Sequence, residues 1–176
     1  MSDRTDMHIL LMGNVTPQTV SAVALQLMVA THYREQKEIN LVMMGHGGDG
    51  DSCAALCDVI EQVQANGLIV KGHVLGYVMS ANAIVLQACR PYRYMSRWGH
   101  LMIHGPTYSY EGMDYEDIQA MKKHETHNDG NFLELIYKSK MDKATVDAVW
   151  QSNKPTWFNA EQALALDLID YISDTN

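Results

Sequence analysis

The chain of 176 residues has few cysteines, no surplus of positive charge and no long apolar run. Its three cysteines, Cys53, Cys57 and Cys89, are an odd number, and a chain of this length can form its core without disulfide bridges. Cys53 and Cys57 are four residues apart and would share a helix face, but the pair has no additional Cys or His at ligand spacing, so we interpret them as small core residues rather than as a zinc site. The sequence therefore predicts a reducing compartment, by default the cytoplasm, and no bound metal.

Charge and hydropathy exclude two further classes of protein. The chain has 13 Lys and Arg against 21 Asp and Glu, a net charge of −8, so the basic face of a nucleic-acid binder or a polybasic membrane-surface protein is not expected. No apolar run reaches the ~18 residues that a membrane span needs. The first residues, MSDRTDMHILLMG, do not fit a secretory signal peptide. We therefore expect neither nucleic acid nor a membrane among the partners.

Short apolar runs alternate with segments of helical period along the first half of the chain. Residues 7–12, 39–44 and 68–75 are predicted as buried strands, and a helix is predicted after Thr16-Pro17, at about 52–64 and over 80–89. This alternation requires crossover connections and therefore predicts an α/β fold with a mostly parallel sheet, buried on both faces. Length and composition predict a single domain over 1–176.

The second half of the chain is predicted to be mainly helical. Asp114 can cap a long polar helix, and the sequence NDGN at 128–131 is a break signal inside it. The string HETH at 124–127 has its two His only three residues apart, whereas a zinc-binding helix needs a spacing of four, so we interpret it as a solvated face. Asn159, followed by Gln162 three residues later, predicts a capping box.

Three motifs lie where predicted strands end, which is where parallel sheets collect functional groups. Gly47 and Gly48 in GHGGDG could point backbone N–H groups into one cavity, as an oxyanion hole requires, or could form only a tight turn. Ser80 could be a nucleophile at a helix N-terminus or a simple N-cap. His104 in LMIHGP could be a general base or a hydrogen-bonded structural histidine.

Considered together and in this order, the motifs resemble the proteolytic subunit of the Clp protease. INLVMMGHGGDG, GYVMSANA, LMIHGP and the closing segment WFNAEQALALDLIDYI are similar to the family's Gly-Gly loop, nucleophile turn, Met-Ile-His-Gln-Pro motif and last segment. The resemblance covers roughly residues 7–172. It implies a crotonase/Clp-protease-like fold of stacked ββα-type units, with a mostly parallel sheet and a protruding handle helix at about 112–140.

The resemblance also implies an activity, a serine endopeptidase that cleaves unfolded peptides inside a ring-shaped chamber. Ser80 would be the acyl-forming nucleophile and His104 its general base. Gly47 or Gly48, together with the amide of Ala81, would bind the oxyanion.

Family members form two stacked seven-membered rings and receive substrate from an ATP-driven unfoldase. The resemblance therefore implies a homo-oligomer, and no cofactor other than the ATP that such a partner would use. The handle helix carries an apolar stripe that a lone protruding helix could not bury, so it is expected to need a partner surface; the stripe is Ile118, Met121, Phe132, Leu135 and Ile136.

The chain departs from the family pattern at the third triad position. Counting back from Ala160 without gaps, Pro155 stands where the family has an Asp, and loss of that Asp can lower turnover by roughly 10⁴. Asn153 is nearby and could hydrogen-bond an imidazole without supplying charge, while Asp147 lies about two turns further back. The third triad member is therefore left open. Other departures follow the same motifs: His46, Val78, Met79, Asn82 and Gly105 replace the family's residues.

Three functions stay open at this point. The first is a Clp-type serine peptidase with an impaired or atypical triad. The second is a weak or inactive ring or assembly subunit, motivated by Pro155. The third is an acyl-CoA enzyme of the crotonase type, which shares the glycine-rich oxyanion loop. Only about six residues precede the first predicted strand, where the family has a longer segment that helps to engage the unfoldase.

Overall fold

The computed structural model of the chain describes residues 7–32, 37–152 and 154–173, which form seven strands and six helices. In chain order these are β1 (Met7–Val15), α1 (Pro17–Ala30), β2 (Glu38–Gly48), α2 (Gly50–Ala65), β3 (Ile69–Met79), α3 (Ala81–Ala88), β4 (Arg93–Ser96), β5 (His100–Ile103), α4 (Tyr115–Tyr137), α5 (Lys143–Ser152), β6 (Thr156–Asn159), α6 (Ala160–Ala165) and β7 (Tyr171–Ser173).

All the strands belong to one sheet, and its pairing confirms the predicted α/β class. The order is β1-β2-β3-β4-β7, and β5 also pairs with β3. β3 pairs with β2 on one side and with two strands on the other, because its first part, at Val74, lies beside Met95 of β4, and its last part, at Val78, lies beside Leu101 of β5. These pairs are all parallel; β6 alone, among the described strands, runs antiparallel to its neighbour, β5. The carboxyl ends of β2, β3 and β5 therefore meet at one edge.

Helices α1 to α3 cover the sheet as the apolar stripes predicted. Thr16 and Thr19 form a capping box at the start of α1. The stripe of α2 that includes Cys53 and Cys57 is fully buried, and Cys89 is buried beside it as a free thiol, so the prediction of core cysteines is confirmed. Every residue of α3 is buried. This helix lies at the centre of the fold, which fixes the position of the residue that precedes it.

Strands β1, β2 and β3 all extend further than predicted, and the extension of β2 corrects the expected loop at GHGGDG. β2 continues to Gly48 because it is paired on both sides, Gly45 with Val78 of β3 and Gly48 with Val15 of β1. α2 follows at Gly50, with Asp49 as its N-cap. β3 likewise continues to Met79, directly before Ser80.

Helix α4 is continuous through NDGN, so the predicted break at 128–131 is wrong. The side chain of Asn128 donates to Asp51 at 2.7 Å, and Asp129 accepts from Tyr108 at 2.6 Å. Since these polar groups have tertiary partners, they do not compete for the backbone hydrogen bonds of the helix. Gly130 faces open space and has no positive φ, so it causes no break.

The second half of α4 packs on its own subunit, which corrects the expectation for the apolar stripe. Phe132, Leu135 and Ile136 are buried in the core of the chain, whereas Ile118 and Met121 are half-buried. Only this first part of the stripe is left for another surface. The HETH string is likewise only partly a solvated face, because Glu125 is 9% exposed.

One buried cation ties the last strand to the sheet. Arg93, in β4, is 0% exposed and donates from its Nη2 to Asp170 Oδ1 at 2.8 Å and to Asp167 Oδ1 at 3.1 Å. It also donates to Gln87 of α3 at 2.5 Å. At the C-terminal side, the capping box of Asn159 and Gln162 is confirmed. Among the described helices, none combines the length and the apolar character that crossing a membrane requires.

Candidate active site

The shared edge of β2, β3 and β5 borders a cavity of about 290 Å³. Gly48 and Asp49 reach it from the end of β2, Ser80 and Ala81 from the end of β3, and His104 from the end of β5. Helices α4 and α5 complete its wall. The structure therefore brings together in one cavity the three motifs that the sequence singled out separately.

Ser80 occupies a sharp strand-to-helix turn. Its φ is 52° and its ψ is −124°, a backbone conformation that costs a residue other than glycine about 1–3 kcal/mol. Ser80 is the N-cap residue of α3, but its side chain makes no capping hydrogen bond, so capping does not account for a serine hydroxyl at this position. The turn is held by the Ser80 amide, which donates to Met102 of β5 at 2.9 Å, and by helix α3 behind it. A strained turn that presents a serine hydroxyl at a helix N-terminus is the geometry of a nucleophile elbow.

The two glycines at the end of β2 have different positions. A Cβ on Gly47 would lie 2.6 Å from the Cβ of Ser80 and 2.9 Å from the carbonyl oxygen of Met79, and its φ is +103°. Gly47 therefore lets the end of β2 pack directly against the serine turn. Gly48 lines the cavity, as does Ala81. The glycines thus do more than form a tight turn, and Gly48 and Ala81 are the two of the expected oxyanion residues that line the cavity with Ser80.

His104 follows β5 and is half-buried in the wall of the cavity. Its Nδ1 is hydrogen-bonded to the carbonyl oxygen of Gly105. Because a carbonyl can only accept, Nδ1 carries the proton in this geometry, and the lone pair of the neutral ring is on Nε2. That arrangement leaves Nε2 able to accept a proton from a hydroxyl.

The strand register identifies the residue across from His104. β5 and β6 are antiparallel, and the last pair of their ladder joins Ile103 to Thr156. One step further along this register pairs His104 with Pro155, which is exposed. Proline has no backbone N–H and no side-chain acceptor, so it ends the ladder and offers the imidazole nothing. The ladder itself ends at Ile103 and Thr156, so the assignment of Pro155 to the third triad position stays a prediction.

Asp147, one of the other two residues considered for that position, is not among the residues that line the cavity. Asp147, in α5, accepts a hydrogen bond from the hydroxyl of Tyr137 and so is used in the contact between α4 and α5. Asn153 lies outside the described residues, so its expected role stays a prediction. Among the described residues, the Gly105 carbonyl is the hydrogen-bond partner that the structure gives to Nδ1 of His104.

Two side chains of α4, one helical turn apart, hydrogen-bond to α2 beside the cavity. His124 Nε2 and the amide of Asn128 both lie 2.7 Å from Oδ1 of Asp51, which is in the first turn of α2. Positions four residues apart share a helix face, so α4 presents both groups to the same carboxylate. These bonds connect the handle helix to the segment that immediately follows Gly47 and Gly48.

The chain between β5 and α4 is joined to the same helix through two tyrosines. Tyr108 donates to Asp129 at 2.6 Å, and Tyr110 donates to Glu125. Burial, and then the bond to Asp129, raises the pKa of Tyr108 far above its usual range. The hydrogen bond to Glu125 is the largest of the causes that raise the pKa of Tyr110 to about 12. Burial also raises the pKa of Asp129.

The polar groups of α4 are the part of this site that sequence analysis missed. HETH was predicted to be a solvent-exposed face, so the burial of Glu125 was not expected. The sequence around Asp51 also gave no indication of its contact with His124, which is 73 positions away. The one available signal was the spacing of His124 and Asn128, which places two hydrogen-bonding groups on one helical face. In the part of the chain that the structure describes, no group of three His, Cys, Asp or Glu side chains is placed to hold a metal ion.

Comparison with known sequences assigns this arrangement to a family, because a sequence model described as Clp protease matches residues 4–176. The chain belongs to the Clp protease family. It is 29% identical over 165 residues to the ATP-dependent Clp protease proteolytic subunit 2 of Treponema pallidum (strain Nichols), covering 92% of this chain and 79% of that relative. It is 25% identical over 170 residues to the ATP-dependent Clp protease proteolytic subunit of Streptococcus suis (strain 98HAH33), covering 96% and 85%. The recognition made from the motifs is therefore confirmed.

Proposed function

We propose that this Clp-family chain is a serine-type endopeptidase in which Ser80 is the nucleophile and His104 the general base. The observation that carries the proposal is the turn at Ser80: a positive φ at a non-glycine residue, with no capping bond, in the cavity that His104 also lines. Membership of the family supports the same reaction class. The crotonase-type alternative receives no such support.

The proposed reaction uses this geometry in two stages. Ser80 Oγ attacks the peptide carbonyl as its proton moves to Nε2 of His104, and the amides of Gly48 and Ala81 donate to the oxyanion. The C–N bond then breaks as His104 returns the proton to the leaving amine, which leaves an acyl ester on Ser80. A water molecule, deprotonated by His104, attacks the ester and releases the acid together with the free Ser80 hydroxyl.

The catalytic unit in this proposal is a dyad, supported by a backbone carbonyl. The Gly105 oxygen orients the His104 ring and fixes the proton on Nδ1. A carbonyl dipole offsets the charge of the imidazolium less than a carboxylate does, so turnover is expected to be low but measurable. Oxyanion stabilisation and substrate binding alone give about 10³–10⁴ over the uncatalysed reaction.

One observation favours a second candidate, a ring or assembly subunit with little or no activity. Pro155 lies one step beyond the β5–β6 ladder, across from His104, where a carboxylate would complete a triad. A subunit of this kind would keep the fold and the assembly surfaces and leave chemistry to an active paralogue.

The family also supports proposals about assembly and partners. The relatives are named proteolytic subunits of an ATP-dependent protease. We therefore propose that this chain forms rings of identical subunits and receives unfolded protein from an ATP-driven partner, with no cofactor of its own. A cytoplasmic location agrees with this proposal and with the free, buried cysteines.

A small uncharged fluorophosphonate probe tests the activity directly, because it forms a covalent bond only with an activated serine. We expect one label per chain, located at Ser80 by peptide mapping. Labelling should disappear in Ser80→Ala and persist in Ser21→Ala, a matched change at an exposed serine of α1. Absence of labelling from a folded, assembled protein favours the inactive subunit, and labelling that survives Ser80→Ala refutes the proposed nucleophile.

A further inference from the structure

The cavity beside Ser80 is acidic. Asp49, Asp51 and Glu125 line it, and none of its described lining residues is Lys or Arg; His104 and His124 are its only side chains that could become cations. The rest of its wall includes apolar groups such as Met121 and Phe132. A cavity with an apolar wall and carboxylates, but without a resident Lys or Arg, is complementary to a long, positively charged side chain.

Two of the three carboxylates, Asp49 and Asp51, each take part in two hydrogen bonds within the protein. Asp49 caps α2, accepting from the amide and the hydroxyl of Ser52 at 2.8 and 2.5 Å. Asp51 is bound to His124 and Asn128 and has a side chain that is 62% exposed. These two groups serve structural roles near the cavity mouth, which leaves Glu125 to be explained.

Glu125 is nine-tenths buried, and within the described residues it has no Lys, Arg or His partner. Its one hydrogen bond comes from the hydroxyl of Tyr110 and reaches Oε2. A buried carboxylate without a cation is costly, and a single neutral donor offsets only part of that cost. A cationic group that enters the cavity from outside would complete the interactions of this carboxylate.

From this arrangement we infer that Glu125 selects substrates with Lys or Arg at the residue whose carbonyl Ser80 attacks. The aliphatic part of such a side chain packs along Met121 and Phe132, and its charged end reaches the carboxylate. The net charge of −8 adds a field that attracts cationic peptides over longer distances. This inference rests on the proposed peptidase function, since it names the substrate class of the same cavity.

The test compares two fluorogenic peptides that differ only in having Lys or norleucine before the scissile bond. Norleucine keeps the four-carbon chain and lacks the ammonium group. We expect kcat/KM for the Lys peptide to be at least about tenfold higher, and Glu125→Gln, which preserves the size of the side chain and an acceptor for Tyr110, to reduce that ratio to about 1. Glu134→Gln, which removes an exposed charge from the same helix outside the cavity, should leave the ratio unchanged.

If turnover is slow, the rates at which matched Lys and norleucine peptidyl phosphonates modify Ser80 give the same ratio, because that reaction stops at the covalent adduct and needs no turnover. The comparison on the unchanged protein does not depend on whether the Glu125 variant folds. Equal rates for the two side chains, or a Lys preference that survives Glu125→Gln, overturn the inference while Ser80 labelling by the uncharged probe still supports the peptidase. Absence of that labelling overturns the proposed function, and this inference with it.

Discussion

At the scale of single residues, Pro155 is the position where one substitution is expected to raise peptidase turnover the most. The β5–β6 ladder ends at the Ile103–Thr156 pair, and one more step at the same register would set His104 opposite Pro155. Directly opposed residues of antiparallel strands have Cβ atoms roughly 4.5–5.5 Å apart. A carboxylate introduced there can reach the His104 ring, provided that the ring turns away from the Gly105 carbonyl.

We therefore predict that Pro155→Asp raises peptidase turnover at least about tenfold, with about 10⁴ as the upper limit set by removing Asp from a complete triad. The control is Pro155→Asn, which removes the proline and adds a hydrogen-bonding group of similar shape without charge. The measurement is kcat on a short fluorogenic peptide. Equal gains in both variants would mean that the loop, rather than the missing charge, limits the reaction.

The buried Arg93 gives a second prediction at this scale. Partial burial alone would raise the pKa of Asp170, but hydrogen bonds from Arg93 and its positive charge outweigh burial and hold that pKa below its usual range. A carboxyl whose pKa is lowered by folding contributes stability above its unfolded pKa of about 3.9 and loses it as pH falls through the lower, folded value.

Asp170→Asn should lower the free energy of unfolding at pH 7 by about 3 kcal/mol, because Arg93 is left buried with weaker partners. The deficit relative to the unchanged protein should begin to shrink below about pH 4, where the unfolded chain protonates Asp170, and should disappear once the pH is below the lower, folded pKa. Urea unfolding at both pH values measures this. Asp167→Asn, at a side chain that is 31% exposed, should lower the free energy of unfolding less. An equal loss in the two variants, or a deficit of Asp170→Asn that persists in acid, would contradict the role given to the Asp170 carboxylate.

At the scale of elements, the site depends on how closely β2 approaches the turn between β3 and α3. The contact is made at Gly47, where an added Cβ would lie 2.6 Å from Ser80 Cβ. Backbone and Cβ atoms cannot yield as the end of a long side chain can, so any side chain at Gly47 must displace either the serine turn or the end of β2.

Gly47→Ala is expected to slow fluorophosphonate labelling of Ser80 by about 10² or more, as losing an oxyanion donor does. Its matched control is Gly67→Ala, at a φ of +90° with nothing within 4 Å of the added Cβ. Both variants carry the strain of a left-handed backbone, about 1–3 kcal/mol, but only Gly47→Ala disturbs Ser80. Similar labelling rates in both would show that Gly47 does not support the nucleophile turn.

The sequence predicted these elements better than it predicted their ends. Apolar runs and capping residues predicted β1 to β3 and α1 to α3, because hydrophobic patterns and capping residues are visible in the local sequence. The extension of β2 through Gly48 depends on partners in β1 and β3, and the continuity of α4 through NDGN depends on Asp51 and Tyr108. These partners are distant in sequence, so a local break signal could not reveal them.

The candidate site shows the same difference between features set by local sequence and features set by distant partners. Ser80, His104 and Gly48 were identified because each ends a recognisable strand within a motif. The sign of φ at Ser80 and the burial of Glu125 were not foreseen, because both result from packing against other elements.

At the scale of the whole molecule, the structure changes the reason for expecting an oligomer. Phe132, Leu135 and Ile136 are covered within the chain, so they no longer require a partner. The first half of α4 still exposes Tyr115 at 76% and leaves Ile118 half-buried, and Trp98, beyond β4, is 77% exposed. Exposed aromatic side chains of this size on one chain are typical of surfaces that become covered on assembly.

We predict that light scattering at micromolar concentration gives a mass several times the 19.8 kDa of one chain, with the first half of α4 in a contact between rings. Ile118→Glu should then lower the mass by about half, since a charge at an apolar contact separates two rings without dissolving either. Gln151→Glu, which adds the same charge at an exposed position of α5, should leave the mass unchanged. Because Ile118 does not line the cavity, Ser80 labelling should persist in the smaller species. A monomeric mass for the unchanged protein would contradict the proposal that the chain forms rings. If Ile118→Glu kept the mass of the unchanged protein, the contact between rings would not involve this part of α4.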